Sequence, residues 1–251
     1  MRDLMLEQAQ KICDLLVGTR KFSPSSQFTK PKLVAHRGCW NKSENLENTL
    51  KAFHHAKEMG ANAIELDVHF TADDVPVVHH DAHLERLFGH RKLIRGLTLV
   101  ELRELVPAVP LLSEVLEITD MHFFIEIKTP LNRSQLLILE DVLSPFEVVK
   151  DYHFLVLDPE LVRITPTFKS WAWILVGELN LRSLVETSLA KNLGGVAGHY
   201  IGMTDGMIKK LHQAKQFAGA GFIPNKNLFN REWSRGIDFV FTNSVAAVAK
   251  S

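Results

Sequence analysis

The sequence predicts a single (β/α)8 TIM barrel, and three observations lead there. The chain has 251 residues, a length at which α/β barrels are commonly one domain. After residue 30, eight short β-rich runs alternate with helical segments, the order that yields a parallel sheet. No glycine-rich phosphate fingerprint follows the first run, which weakens the nucleotide-binding version of the alternative, an open doubly wound sheet.

The elements read in order as follows. Residues 1–20 read as a helix, with Met5, Ala9, Ile12 and Leu16 on one face. Lys21–Lys30 is polar, holds Pro24 and reads as a linker. Residues 1–30 are thus an N-terminal helix and linker, and 31–251 the barrel domain. The strands are expected at Leu33–Ala35, Ala63–Phe70, Phe123–Ile127, Phe154–Leu157, Trp171–Val176, Gly195–Ala197, Gly221–Ile223 and Asp238–Thr242. Val75–Val78 follows the second strand too closely for a parallel connection, so it reads as the return arm of a short hairpin insertion. Helices are expected at Glu47–Met59, with Gly60 closing it, and after Thr98, which has capping-box spacing to Glu101. Ser113 is read as the cap of a short turn through Leu116. Longer helices are expected at Glu178–Leu193 and Thr204–Ala218.

Composition excludes several classes. Hydrophobic residues make up 46% and charged residues 23%, an ordinary globular balance. Lys plus Arg equal Asp plus Glu, so no basic excess suggests nucleic acid as a partner. The two cysteines, Cys13 and Cys39, are too few for a disulfide framework or a cysteine-based zinc site. No apolar run reaches the ~18 residues of a membrane span, and no signal peptide is read at the start. The expectation is a cytoplasmic protein, with peripheral membrane contact through residues 1–20 as the one lipid-facing option.

Chemistry concentrates in a few charged residues on otherwise apolar strands. Glu65 and Asp67 alternate along a strand and so share a face. Two inward acids are costly unless something satisfies them, and a divalent cation with oxygen ligands would do so. Glu126 and Lys128 repeat that spacing at the end of Phe123–Ile127, where barrel enzymes place their sites. His36 directly follows the first strand and His80 ends the hairpin; both are suited to proton transfer. Arg37 offers a fork of donors for phosphate oxygens, and Gly38 would let backbone approach a ligand.

Taken in order, His36-Arg37-Gly38, Glu47-Asn48-Thr49, Glu65-x-Asp67, His80-Asp81 and Glu126-x-Lys128 resemble the glycerophosphodiester phosphodiesterase family, over roughly residues 31–245. The resemblance implies a TIM barrel with the site at its C-terminal strand ends. It implies Glu65, Asp67 and Glu126 as ligands of Mg2+ or Ca2+, and His36 and His80 as the acid/base pair. It implies Arg37 and Lys128 as phosphate-binding groups, with Glu47 supporting them. The implied reaction is hydrolysis of a small glycerophosphodiester to glycerol 3-phosphate and an alcohol. Which histidine is the acid stays open, as does the attacker, water or the substrate's own hydroxyl. The alternatives are a phospholipase D-like enzyme acting on lysophospholipids and a non-enzymatic barrel binding a phosphate-containing ligand. The chain departs from the family pattern at Leu46 (usually Pro) and Asp73-Asp74 (usually Asp-Gly). It also departs at Val156-Leu157 (usually Ser-Phe) and at Phe222–Asn225, where a Trp-Thr-Val-Asn motif is usual. The last two fall where the family lines its substrate pocket. The segment from Asp81 to Pro110 is short, which reduces any substrate-capping insertion to a small loop.

Overall fold

A computed structural model describes residues 20–41, 45–178 and 180–249. The helix read at 1–20 lies almost entirely outside them. Nine strands form one sheet: β1 (Lys32–His36), β2 (Ala63–Phe70), β3 (Pro76–Val78), β4 (His122–Ile127), β5 (Tyr152–Val156), β6 (Trp173–Gly177), β7 (Gly195–His199), β8 (Phe217–Gly221) and β9 (Phe239–Thr242). β1 pairs in parallel with both β2 and β9, which closes eight strands into a barrel. β3 lies outside the closed ring, antiparallel to β2, as the return arm of the hairpin.

Two-residue periodicity sorts the side chains of each strand. Val34, Ala63, Phe124, Leu155, Ile174, Ala197, Phe239 and Phe241 fill the barrel interior as one apolar cluster. The intervening residues, among them Ile64, Leu66, Ile125 and Phe154, pack outward against the helices in the larger core. Layered interiors of this kind make the barrel a packed core and leave its C-terminal mouth for chemistry.

Several helices start where their caps dictate. Thr49 caps Leu50–Glu58 by accepting from Ala52 N, and Gly60 takes φ +93° just beyond its end. Thr98 and Glu101 form the expected capping box on Leu99–Leu105. Ser113, however, sits inside Leu112–Leu116; Glu114 reaches back to Leu111 N at 2.8 Å and does the capping instead. The helices Arg133–Leu143 and Lys226–Ser234, capped by Asn132 and Asn225, carry no sequence expectation. Several expected boundaries shift. β6 starts at Trp173, and Trp171 is half exposed. The helix read at Thr204–Ala218 ends at Gln213, and β8 occupies Phe217–Gly221, four residues before its expected start. The polar stretch after residue 20 lies along the helix Lys226–Ser234. Phe22 N donates to Asn227 Oδ1 at 2.8 Å, and Trp233 Nε1 donates to Phe28 O at 2.8 Å. Residues between Asp81 and Pro110 fold over their own apolar cluster of Leu84, Ile94, Leu97 and Leu102. Among the described residues, no helix is long and apolar enough to cross a membrane.

The barrel floor carries a buried histidine pair. His122 Nδ1 donates to Lys150 O at 2.9 Å, which leaves His122 Nε2 to accept from His153 Nδ1 at 2.8 Å. Both rings pack against Phe124 and Phe239. Burial pushes His122 down to about 4 and His153 well below the ordinary histidine value. The unfolded chain therefore takes protons on these rings near pH 6.5, while folded His122 refuses its proton until about pH 4 and His153 is held lower than an ordinary histidine. Stability should fall as pH drops through that window, by about 2 kcal/mol for His122 alone at pH 5. Urea unfolding of the wild type and of H122Q/H153Q at pH 7.5 and 5 checks this. The double variant should show a flatter pH dependence, and equal slopes would refute the assignment.

Candidate active site

The candidate site sits at the C-terminal ends of the barrel strands. Register places Asp67 of β2 beside Glu126 of β4, and His36 of β1 beside Glu65. Carboxylate oxygens of Glu65, Asp67 and Glu126 all lie within 4.8 Å of one another, and all three residues are buried. Glu65 Oε2 accepts from Arg37 N at 3.0 Å, while Glu65 Oε1 is buried without a hydrogen-bond partner. Lys128 Nζ bridges Asp67 Oδ1 at 2.7 Å and Glu126 Oε1 at 2.5 Å. Arg37 Nε lies 3.3 Å from Asp67 Oδ2, and its Nη1 donates to Glu47 Oε1 at 3.1 Å. Asn48 Nδ2 completes this shell by donating to Asp67 Oδ2 at 2.7 Å.

These contacts set the charges. Burial, reinforced by Asp67 and Glu126, pushes the Glu65 carboxyl well above the usual carboxylate range. Burial and Asp67 also raise Glu126. Burial opposes ionisation of Asp67 too, but Lys128 and Arg37 prevail and hold it at about 2. The connected network holds five carboxylates (Glu47, Glu65, Asp67, Asp81 and Glu126) against Arg37, Arg86 and Lys128. Fully ionised, it carries two uncompensated negative charges beside the orphaned Glu65 oxygen. A divalent cation with hard oxygen ligands fits both the charge and the donor set.

The two histidines reach the same cavity by different supports. His36 Nδ1 donates to Asn243 Oδ1 at 2.7 Å, so its Nε2 carries the lone pair, 3.8 Å from Glu65 Oε2. Burial and the Arg37 charge lower its proton affinity. His80 Nδ1 donates to Asp81 Oδ1 at 2.7 Å. Asp81 Oδ2 in turn accepts from Arg86 Nε at 2.5 Å. His69 and His79 are spent on backbone carbonyls, those of His80 and His83.

His36, Arg37, Glu65, His80, Glu126 and Lys128 line one cavity of about 830 Å3. Glu47 and Asp67 are buried behind it. Asn48, Asn243 and Arg86 belong to the same array without having been singled out. Gly38 plays another part than ligand approach. At φ +84°, a Cβ there would sit 2.8 Å from the Ala52 carbonyl carbon, so Gly38 lets the first loop pack on the helix Leu50–Glu58. Arg37 (φ 57°) and Asn48 (φ 56°) both hold left-handed backbone and are joined by an Asn48 N to Arg37 O bond of 3.0 Å. Strain shared by two bonded residues beside reactive groups is a frequent mark of functional loops. Leu157, Val176, Phe222 and Phe241 give the cavity apolar lining, alongside the polar Asn180 and His199. Thus the two departures from the family pattern, at Leu157 and Phe222, both face the cavity.

A (β/α)8 barrel with a carboxylate triad, two histidines and two cations at its C-terminal mouth has the make-up of a barrel enzyme for phosphate esters. The glycerophosphoryl diester phosphodiesterase family model matches residues 36–180, more than half of the chain. The chain belongs to that family. It is 45% identical over 71 residues to lysophospholipase D GDPD1 of Homo sapiens, covering 28% of this chain and 22% of that protein. It is 37% identical over 112 residues to a glycerophosphodiester phosphodiesterase of Caldanaerobacter subterraneus, covering 39% and 45%. The chain thus spans about a fifth of the first relative's length and under half of the second's. Among solved structures, a glycerophosphodiester phosphodiesterase from Thermotoga maritima superposes with a TM-score of 0.70 at 27% identity, over 88% of this chain and 97% of that one. An Oleispira antarctica phosphodiesterase solved with its product sn-glycerol-3-phosphate shares the fold, with a TM-score of 0.73 at 21% identity over 87% and 95%.

Proposed function

We propose that this chain hydrolyses glycerophosphodiesters to glycerol 3-phosphate and an alcohol, with a divalent metal and a histidine acid/base pair. The observation that carries the reading is the triad of Glu65, Asp67 and Glu126, with one oxygen unpartnered, opening into the cavity lined by His36 and His80. Glu65, Asp67 and Glu126 would hold Mg2+ or Ca2+, which when bound supplies charge neutralisation at the phosphate. Arg37 and Lys128 add positive charge on the same wall and orient the phosphoryl oxygens. Glu47 fixes Arg37 from behind.

The histidine supports favour one division of labour. His36 is held with Nε2 unprotonated, and burial with Arg37 disfavours the imidazolium. It takes the proton from the attacking oxygen. His80 is held through Nδ1 by a carboxylate, and it delivers a proton from Nε2 to the leaving alkoxide. The attacker is water or the substrate's own glycerol hydroxyl; the latter passes through a cyclic phosphate.

A second reading has its own support. The apolar lining at Leu157, Val176, Phe222 and Phe241 suits an acyl chain, which favours lysophospholipids as substrates. Product release from glycerophosphocholine, glycerophosphoethanolamine and lysophosphatidylcholine, each with Mg2+, Ca2+ or EDTA, tests both. Metal-dependent release of glycerol 3-phosphate is the expected result. Release of choline from the lysolipid alone would shift the assignment to the second reading. No release in any arm would leave a phosphate-ligand-binding barrel.

A further inference from the structure

We infer that Arg86 is a positioning residue for His80, acting through Asp81; this rests on the hydrolytic reading above. Arg86 lies on the short helix Glu85–Phe88, in the loop between β3 and β4, and does not line the cavity. Its guanidinium spans two carboxylates. Nε donates to Asp81 Oδ2 at 2.5 Å, and Nη2 donates to Glu47 Oε1 at 2.6 Å. Each carboxylate is committed on its other side to a group facing the cavity. Asp81 Oδ1 holds His80 Nδ1, while Glu47 Oε1 also accepts from Arg37 Nη1.

Anchorage explains the arrangement. Asp81 is one-quarter exposed on a surface loop, and alone it would be free to turn toward solvent. Glu47 is buried on the loop after β1 and is a fixed point. Arg86 ties the mobile carboxylate to the fixed one, so the ring of His80 inherits its orientation from the barrel wall. The Arg86–Asp81 pair is partly exposed, and pairs of that kind contribute little to stability, so its value lies in geometry. Arg86 meets the two carboxylates through separate nitrogens of one planar fork, a spacing that the single nitrogen of lysine does not reproduce.

The test uses the full chain with Mg2+ or Ca2+ and compares R86M and R86K in the wild-type and H80A backgrounds. In the wild-type background R86M should lower kcat about 10- to 100-fold, the range for loss of a supporting shell, with KM changed less than about threefold. In the H80A background the same substitution should cost clearly less, because the group it positions through Asp81 is gone and only its contact with Glu47 remains to be lost. R86K should recover only part of the loss. Equal losses in both backgrounds, or a wild-type kcat in R86M, would overturn the inference. If the wild-type chain proves inactive, the hydrolytic reading fails, yet imidazole 15N–1H spectra still decide the positioning. A sharp His80 Nδ1 proton that broadens in R86M supports it, and an unchanged signal refutes it.

Discussion

Replacing His80 by alanine should lower turnover of glycerophosphocholine by about 10^2- to 10^4-fold, the range for loss of a general acid or base. His36→Ala should do the same. Both side chains are about 30% exposed at the barrel mouth and outside the apolar clusters, so folding should survive with less than about 1 kcal/mol of change. The two variants should part company on an aryl phosphodiester. A phenolate leaves without a proton, so H80A should recover most of its rate there, whereas H36A should not. Reversed recovery would swap the roles of the two histidines. A well-folded H36A/H80A double variant that retains most activity would remove both from the mechanism. Circular dichroism and melting curves on the same preparations separate lost chemistry from lost fold.

The part of this site legible in the sequence is the part that strand periodicity controls. Glu65 and Asp67 share a face because they are two residues apart on β2, and Glu126 with Lys128 repeats that logic at the end of β4. His36 follows from being the last residue of β1. Arg86 and Asn243 were not legible in the same way. Each reaches its partner across loops joined only by closure of the barrel, Arg86 to Glu47 over 39 positions and Asn243 to His36 over 207. The misplacement of β8 has a local cause. Phe217–Gly221 reads Phe-Ala-Gly-Ala-Gly, without a β-branched residue, and so resembles the tail of the preceding helix. Tertiary packing demands those small residues: a Cβ on Gly219 would come within 2.7 Å of Ala197 Cβ on the neighbouring strand. The (β/α)8 class survived this error because strand number and alternation do not depend on where a strand begins.

The carboxylate triad makes the remaining large prediction, and it separates metal binding from catalysis. In the metal-free protein Glu65 is a buried acid pressed by Asp67 and Glu126, with Oε1 unpartnered. Glu65→Gln keeps the volume and removes a potential charge. The metal-free variant should therefore melt at or above the temperature of the metal-free wild type, because like-charge repulsion and an unsatisfied buried oxygen are both costs to folding. Added Mg2+ or Ca2+ should raise the melting point of the wild type, by about 2.7 kcal/mol of stability at a hundredfold excess over Kd. That rise should be absent in E65Q, and turnover should fall by more than about 100-fold, beyond what loss of a supporting residue produces. The two readouts oppose one another: greater intrinsic stability with less metal response and less activity. A ligand role for Glu65 requires all three. If E65Q is destabilised without metal yet still stabilised by it, Glu65 is a structural acid and the cation is held by Asp67 and Glu126 without it. Asp67→Asn supplies the contrast. Asp67 is ionised against Lys128 and Arg37, so its neutralisation leaves two half-buried cations short of a partner and should destabilise even the metal-free chain.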